Sequence, residues 1–187
     1  MTSATNGPHV CPSQFALFLD NWIRRWIQPP ARILEGYIHP GDTALDIGCG
    51  PGFFTLEMAR QVGPYGGVYA IDLQPAMLTR VARKAARDGL SDRIQRHQCR
   101  PDRIGLAVQA DFALAYYMVH ETPSVMDFLQ EVHQMVRPGG RLLVVEPKMH
   151  VSQRDFEAMC QRGEGLGWEI ADYPRKKGGR SVMFRRT

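Results

Sequence analysis

Three glycines, Gly48, Gly50 and Gly52, stand at alternate positions directly after the apolar run Thr43–Ile47. The run predicts a buried strand, and the helical pattern of residues 53–62 predicts that a helix follows at once. Glycine lets the backbone turn tightly between the two elements, and it lets a ligand approach the main chain without a Cβ in the way. The free amides of the helix add a positive end. This order of elements predicts an α/β unit with a binding site at the turn.

The alternation of strands and helices continues along the whole chain. Further strands are predicted at residues 68–71, Ile94–Gln98, 112–117, 142–145, 168–171 and 181–185, and further helices at residues 30–38, 75–88, 124–136 and 152–162. Near-continuous apolar strands separated by helices are typical of a parallel sheet that is covered on both faces. We therefore expect a single doubly wound α/β domain.

Length and composition agree with a one-domain protein. The chain has 187 residues and a net charge of +4, from 23 Lys and Arg against 19 Asp and Glu, a mild excess that requires no anionic partner. Its four cysteines are far apart and form no pair at metal-ligand spacing, so we expect no metal site and a reducing, cytoplasmic setting. No segment has the roughly 20 apolar residues of a membrane span. The composition leaves both a monomer and a homodimer open.

An acidic residue after the second strand indicates what the glycine turn binds. Asp72 follows the turn by about twenty residues, where a carboxylate accepts both hydroxyls of a ribose. The dinucleotide pattern Gly-x-Gly-x-x-Gly fails in either register, and no Gly-Lys-Ser/Thr ends the turn as in a phosphate loop. Asp46, two residues before the first glycine, suits an ammonium group better than a pyrophosphate. We therefore expect a nucleoside cofactor with a cationic amino-acid end.

Four ordered motifs carry a family resemblance over roughly residues 30–151. They are Asp46-Ile47-Gly48-Cys49-Gly50-Pro51-Gly52, Ala70-Ile71-Asp72-Leu73, Asp111-Phe112-Ala113-Leu114-Ala115 and Met135-Val136-Arg137-Pro138-Gly139-Gly140. In this order they resemble the class I S-adenosylmethionine-dependent methyltransferases, and among them the small-molecule enzymes typified by those of quinone biosynthesis. The resemblance implies a Rossmann-like methyltransferase domain with a mostly parallel seven-stranded sheet, an antiparallel last strand and an N-terminal helical extension.

The resemblance also implies a role for individual residues in binding S-adenosyl-L-methionine. Gly48, Cys49, Gly50 and Gly52 would line its methionine part, Asp46 would hold its amino group through water, and the backbone of Ala115 would meet the amino-acid end. Asp72 would bind the ribose and Leu73 would pack on the adenine. Relatives carry a Gly-Asp pair after strand three, whose Asp accepts from the adenine amino group. Here the matching stretch is Gln98-Cys99-Arg100-Pro101-Asp102, so either Asp102 substitutes after a loop shift or Arg100 stacks on the adenine.

Candidate catalytic residues lie at the carboxyl ends of the fourth and fifth strands, where ligands bind in such sheets. His120 has a pKa range suited to a general base, and its alternative role is to cap or pack a helix start. Tyr116 and Tyr117 alternate across the strand, so we expect only one of them to face the acceptor. Glu146, after the fifth strand, stabilises the following loop in the simplest interpretation.

Two segments outside the motifs allow more than one interpretation. We expect residues 1–12 to be a flexible tail, residues 13–40 a helical extension or lid, and residues 41–187 the methyltransferase domain. An aromatic stripe, Phe15, Phe18, Trp22 and Trp26, either packs on the sheet or covers the acceptor pocket, and membrane-surface association is a third option. The basic C-terminal residues 175–186 predict a solvated hairpin, and nucleic acid is disfavoured because aromatic residues for base stacking are sparse there.

The function predicted from these features is methyl transfer from S-adenosylmethionine to a small-molecule acceptor by in-line displacement. O-, N-, C- and S-methylation all remain open, because a fold does not define its acceptor. A cofactor-binding sensor or partner subunit without catalysis is the alternative. A nicotinamide-dependent oxidoreductase is third, because the third glycine of its fingerprint is missing.

Overall fold

The computed structural model describes residues 29–187, which fold into seven strands and five α-helices. The helices are α1 (Pro30–Leu34), α2 (Thr55–Gln61), α3 (Pro75–Arg87), α4 (Val125–Met135) and α5 (Gln153–Gly165). The strands are β1 (Thr43–Ile47), β2 (Gly67–Asp72), β3 (Ile94–Gln98), β4 (Ala110–Tyr116), β5 (Val136–Pro147), β6 (Trp168–Asp172) and β7 (Gly179–Arg186). The predicted tail over residues 1–12 and the aromatic stripe lie outside the described residues.

The strands form one sheet in the order β3-β2-β1-β4-β5-β7-β6. Strands β1 to β5 pair in parallel, whereas β7 runs antiparallel to both β5 and β6. The chain builds outward from β1 toward β3 on one side and from β4 toward β5 on the other, so its direction of growth reverses between β1 and β4. This confirms the predicted doubly wound, mostly parallel seven-stranded sheet with an antiparallel last strand.

Helices cover both faces of the sheet because successive strand residues point to opposite sides. One apolar core lies against α4 and α5 and takes Leu45 and Ile47 from β1. The other lies against α1 and α2 and takes Ala44 from the same strand. The side chains on both faces of β1 are therefore buried, which explains why the sequences of the parallel strands are nearly continuous runs of apolar residues.

Several predicted bounds differ from the structure for local reasons. The helix predicted over residues 30–38 ends at Leu34, and Gly36 beyond it has a φ of 75°. The fifth strand, predicted over residues 142–145, begins at Val136, because Val136 pairs with Ala110 across a register shift. The Pro-Gly-Gly segment therefore lies inside a bulged strand rather than before it.

The described residues include no helix that has both the length and the apolar character needed to span a lipid bilayer.

Parallel register brings the carboxyl-terminal parts of the five parallel strands to one edge of the sheet. Ile47 lies opposite both Ile71 and Ala115, Asp72 lies opposite Gln98, and Tyr116 lies opposite Val145. The loops that leave these strands consequently meet above β1 and β4, the topological switch point at which ligands of doubly wound sheets bind.

Candidate functional site

A cleft of about 260 Å³ opens at this switch point. The residues that line it come from the turn after β1, the loops after β2, β3 and β4, and the first turns of α4. Among them are eight of the predicted site residues: Gly48, Cys49, Gly50, Asp72, Leu73, Arg100, Tyr116 and Tyr117. The parallel sheet thereby brings together predicted site residues that lie up to about seventy positions apart in the sequence.

The glycine turn is held tightly against β2 and exposes its backbone to the cleft. The N–H groups of Gly48 and Cys49 both donate to Ile71 O, each at 2.9 Å. Gly48 has a φ of 71°, and a Cβ built on it would lie 2.9 Å from Met118 Cγ. Gly50, with a φ of 51°, has nothing within 4 Å of such a Cβ. The turn therefore leaves open space beside the backbone at Gly50, where it faces the cleft.

Asp72 connects the turn after β1 to the turn after β2. Its Oδ2 accepts from Gly50 N and its Oδ1 from Gln74 N, both at 2.8 Å. Burial raises the pKa of this carboxyl group, although the N–H donors act in the opposite direction. Each oxygen retains acceptor capacity. The geometry suits a carboxylate that accepts a vicinal pair of hydroxyls while it keeps the glycine turn in place.

Asp46 lies beneath the glycine turn rather than in the cleft wall. It is 2% exposed, and Thr55 Oγ1 donates to its Oδ2 at 2.5 Å. Burial raises the pKa of this carboxyl group to about 7. A cation placed above the turn would stabilise the ionised form of Asp46, as would an ammonium group linked through water.

The loop after β3 forms one end of the cleft. Cys99 N donates to Asp72 O at 3.2 Å, and a backbone pair between Arg100 and Arg103 closes a tight turn with Pro101 and Asp102 at its tip. All of these residues line the cleft. Burial raises the pKa of the Cys99 thiol to about 11, which keeps the group protonated at neutral pH.

An aromatic wall formed by Phe53, Phe54, Tyr116 and Tyr117 lines the side of the cleft above β4. The Phe54 and Tyr116 rings have centroids 4.6 Å apart, and the two tyrosine rings 4.4 Å apart. The expectation that only one tyrosine faces the cleft is wrong. Strand β4 ends at Tyr116, and Tyr117 has a φ of 60°, so the strand alternation no longer applies and both side chains line the cleft.

A buried carboxylate orients His120 beside this wall. Glu146, 1% exposed at the end of β5, accepts from Val119 N at 2.8 Å and pairs with His120 Nδ1. The hydrogen bond to Glu146 raises the pKa of His120. His120 itself is not among the lining residues, whereas its neighbour Glu121 is, and burial raises the pKa of Glu121.

Three further predicted cofactor residues also lie outside the lining. Asp46 and Ala115 are buried in the sheet below it, and a Cβ on Gly52 would lie 3.1 Å from Val81 Cγ2, so this glycine allows close packing of α3. The motifs did not single out Met118, which covers Gly48, or the phenylalanines of the aromatic wall. A sequence signal existed only for Phe53 and Phe54, which adjoin the glycine turn.

The residues at the cleft are chemically suited to the groups of S-adenosylmethionine that the motifs implied. The open surface at Gly50 suits its amino-acid end, the buried Asp46 suits a nearby cation, and Asp72 suits its ribose. Within residues 29–187, no group of three or more His, Cys, Asp and Glu side chains is arranged to hold a metal ion.

Comparisons with known proteins agree with this geometry. Residues 44–140, just over half of the chain, match the family model described as a methyltransferase domain. The chain is 26% identical over 164 residues to a demethylmenaquinone methyltransferase of Symbiobacterium thermophilum, which covers 82% of this chain and 61% of the relative. It is 29% identical over 110 residues to the demethylmenaquinone methyltransferase of Lactobacillus johnsonii, covering 58% of this chain and 45% of that one. The chain thus spans less than two thirds of the length of these relatives.

A solved structure extends the match to nearly the whole fold. A SAM-dependent methyltransferase from Aquifex aeolicus superposes with a TM-score of 0.82 at 22% identity, covering 94% of this chain and 99% of that one. The chain belongs to the methyltransferase-domain family, and its fold is that of the class I S-adenosylmethionine-dependent methyltransferases. The resemblance inferred from the four motifs is confirmed, and with it S-adenosylmethionine as the cofactor of the family.

Proposed function

We propose that this protein transfers the methyl group of S-adenosylmethionine to a small-molecule acceptor that binds against the aromatic wall. The observation that carries the proposal is the pairing of the open glycine turn and Asp72 with an apolar wall in one cleft. The glycine turn and Asp72 suit the cofactor, and the aromatic wall suits an acceptor with a flat apolar body.

Residues of this chain would hold the cofactor at three places. Asp72 would accept from its ribose hydroxyls, the backbone at Gly50 would face its amino-acid end, and Asp46 would interact through water with its ammonium group. When bound, S-adenosylmethionine supplies a methyl carbon activated by a sulfonium, which departs as a neutral thioether. The chain's own task is then to align the acceptor and exclude water, which contributes roughly 7–11 kcal/mol in well-oriented reactions.

His120, which adjoins the lining residue Glu121 but does not itself line the cleft, is the proposed proton acceptor, through one water, for an acceptor group that must lose a proton. Because Glu146 pairs with His120 Nδ1, the neutral ring carries its proton on Nδ1 and its lone pair on Nε2. Glu146 acts here as a positioning residue. Tyr116 and Tyr117 would contact the acceptor and shield it from water.

The names of two relatives support an apolar aromatic acceptor. Both are called demethylmenaquinone methyltransferases, and a quinol ring has the flat shape that the aromatic wall suits. We propose a phenol- or quinol-like acceptor on this ground, without assigning the methylated atom.

The test is a transfer assay with methyl-labelled S-adenosylmethionine and three separated fractions: low-molecular-weight extract, protein and RNA. A soluble naphthohydroquinone is included as a defined acceptor. We expect label in the low-molecular-weight fraction, strongly reduced in Asp72→Ala at subsaturating cofactor and retained in Arg96→Gln, whose side chain is exposed and outside the cleft. Label in RNA or protein alone would contradict the acceptor class. Cofactor binding with no transfer to any fraction would favour the non-catalytic alternative.

A further inference from the structure

The loop after β4 places a carboxylate in the lining of the cleft. Residues Val119–Glu121 form a single 3-10 turn. Glu146 holds this turn through both of its oxygens, since one accepts from Val119 N and the other pairs with His120 Nδ1. Consecutive side chains of such a turn point roughly 120° apart. Because His120 is drawn toward Glu146, the side chain of Glu121 points away from β5, and it lines the cleft.

The carboxylate of Glu121 has unused capacity to accept hydrogen bonds. The residue is half-buried, and within residues 29–187 its side chain takes part in no hydrogen bond and no ion pair. Burial raises the pKa of this carboxyl group, and among the charged groups around it His120 lowers that pKa most. A half-buried carboxylate without a donor is energetically unfavourable, and a ligand that supplies a donor removes this cost. Glu121 is therefore prepared for a ligand that donates a hydrogen bond.

The position of Glu121 in the chain places it on the acceptor side of the cleft. Apart from Asp72, the other charged residues of the lining lie in the loop after β3 or on α4: Arg100, Asp102, Arg103, Asp127 and Glu131. Glu121 belongs instead to the loop after β4, which also carries Tyr117 of the aromatic wall. Its N–H donates to Met118 O at 3.0 Å, and the Met118 side chain covers Gly48. An acceptor bound against the aromatic wall therefore has Glu121 as a charged neighbour from the same loop.

We propose that Glu121 selects the polar group of the acceptor: its carboxylate accepts a hydrogen bond from a hydroxyl or ammonium group and disfavours a carboxylate. This inference rests on the proposed function and narrows the acceptor class of the same site. An ionised carboxylate only accepts hydrogen bonds. Two carboxylates brought together in a half-buried site repel each other, and one of them must then take up a proton. Phenols, quinols and aromatic amines consequently fit beside Glu121, whereas aromatic acids do not.

The experiment is calorimetric binding of three naphthalene probes, near neutral pH, to the full chain saturated with S-adenosylhomocysteine. The probes 1-naphthol, 1-naphthylmethylammonium and 1-naphthoate share a flat apolar body and differ in the polar group, which is a neutral donor, a cationic donor or an anion. We expect the wild-type protein to bind both donors roughly tenfold more tightly than 1-naphthoate, the scale of one charge-assisted hydrogen bond. Glu121→Gln removes the charge and keeps the side-chain shape, so it should abolish most of this preference. The readout is a ratio of dissociation constants and requires no turnover.

Matched variants separate contact with Glu121 from a general effect of charge. Glu164→Gln makes the same change at an exposed position of α5 outside the cleft and should leave the ratio unchanged. Equal binding of the three probes by the wild type, a preference that survives Glu121→Gln, or one that Asp127→Asn removes equally would overturn the inference and leave the proposed function intact. Binding of none of the probes, with or without S-adenosylhomocysteine, would contradict the proposed function and this inference with it.

Discussion

Replacing Asp46 by Asn should change how the stability of the protein depends on pH. Burial raises the pKa of this carboxyl group from 3.8 to about 7 in the folded protein. In the unfolded chain it titrates near 4. Between about pH 4 and pH 7 the folded protein therefore holds a proton that the unfolded chain has released. The free energy of unfolding consequently falls as pH rises across this window.

The size of the effect follows from the two pKa values. Their separation corresponds to about 4 kcal/mol of stability lost between pH 4 and pH 8. The amide side chain in the Asp46→Asn variant does not titrate, so this variant does not lose that stability as pH rises. Relative to the wild type, its stability should rise by up to about 4 kcal/mol over the same range. A pH-independent offset is added, because the amide replaces one acceptor oxygen by a donor nitrogen beside Thr55.

Urea unfolding of both proteins at several pH values between 4 and 8 measures this difference. The exposed Asp92 provides a matched control, because Asp92→Asn removes a carboxylate that the fold leaves in solvent. Its curve should run parallel to that of the wild type. A difference between Asp46→Asn and wild type that stays flat, or that falls as pH rises, would refute the argument from burial.

Four further variants test the cleft. Asp72→Ala should weaken S-adenosylmethionine binding by about 1.5–3 kcal/mol in calorimetry, since it removes charge-assisted hydrogen bonds; unchanged affinity would exclude Asp72 from the site. Gly50→Ala should lower the free energy of unfolding by about 1–2 kcal/mol, because a residue with a Cβ is strained in the left-handed backbone conformation. Gly48→Ala should lower it by more, because its Cβ would also lie 2.9 Å from Met118 Cγ. Equal losses of stability in thermal unfolding would contradict this geometry. Glu146→Gln should lower the pKa of His120 in an NMR titration, because the charged partner that raises it is lost, and an unchanged midpoint would show that Glu146 does not control the ring.

Much of the fold could be predicted from the sequence, because the burial of one face of a helix or strand spaces its apolar residues at the period of that element. The strand Ile94–Gln98 has its predicted bounds, and the helix predicted over residues 152–162 forms α5, with Ser152 as its N-cap accepting from Asp155 N. The error at β5 arose because Pro-Gly-Gly is typical of a turn, whereas here it forms part of a bulged strand whose partner is remote in sequence.

The site was predicted less completely, because its contacts join distant residues. Periodicity reports which face of an element is buried and carries no signal for the pairing of His120 with Glu146, 26 residues apart. The positive φ of Tyr117 could not be predicted either, because tyrosine is not a residue type that favours the left-handed backbone conformation. The glycines and Asp72 were easier to identify, because their spacing is imposed by the ligand and the strand-to-helix turn.

Calorimetric titration of the full chain with S-adenosylmethionine and, separately, with NAD tests the central claim most directly. The glycine turn, Asp72 and the buried Asp46 were assigned to a nucleoside with a cationic amino-acid end, so we expect saturable binding of S-adenosylmethionine and none of NAD at matched concentrations. Tight binding of NAD by a protein that does not bind S-adenosylmethionine would contradict the account.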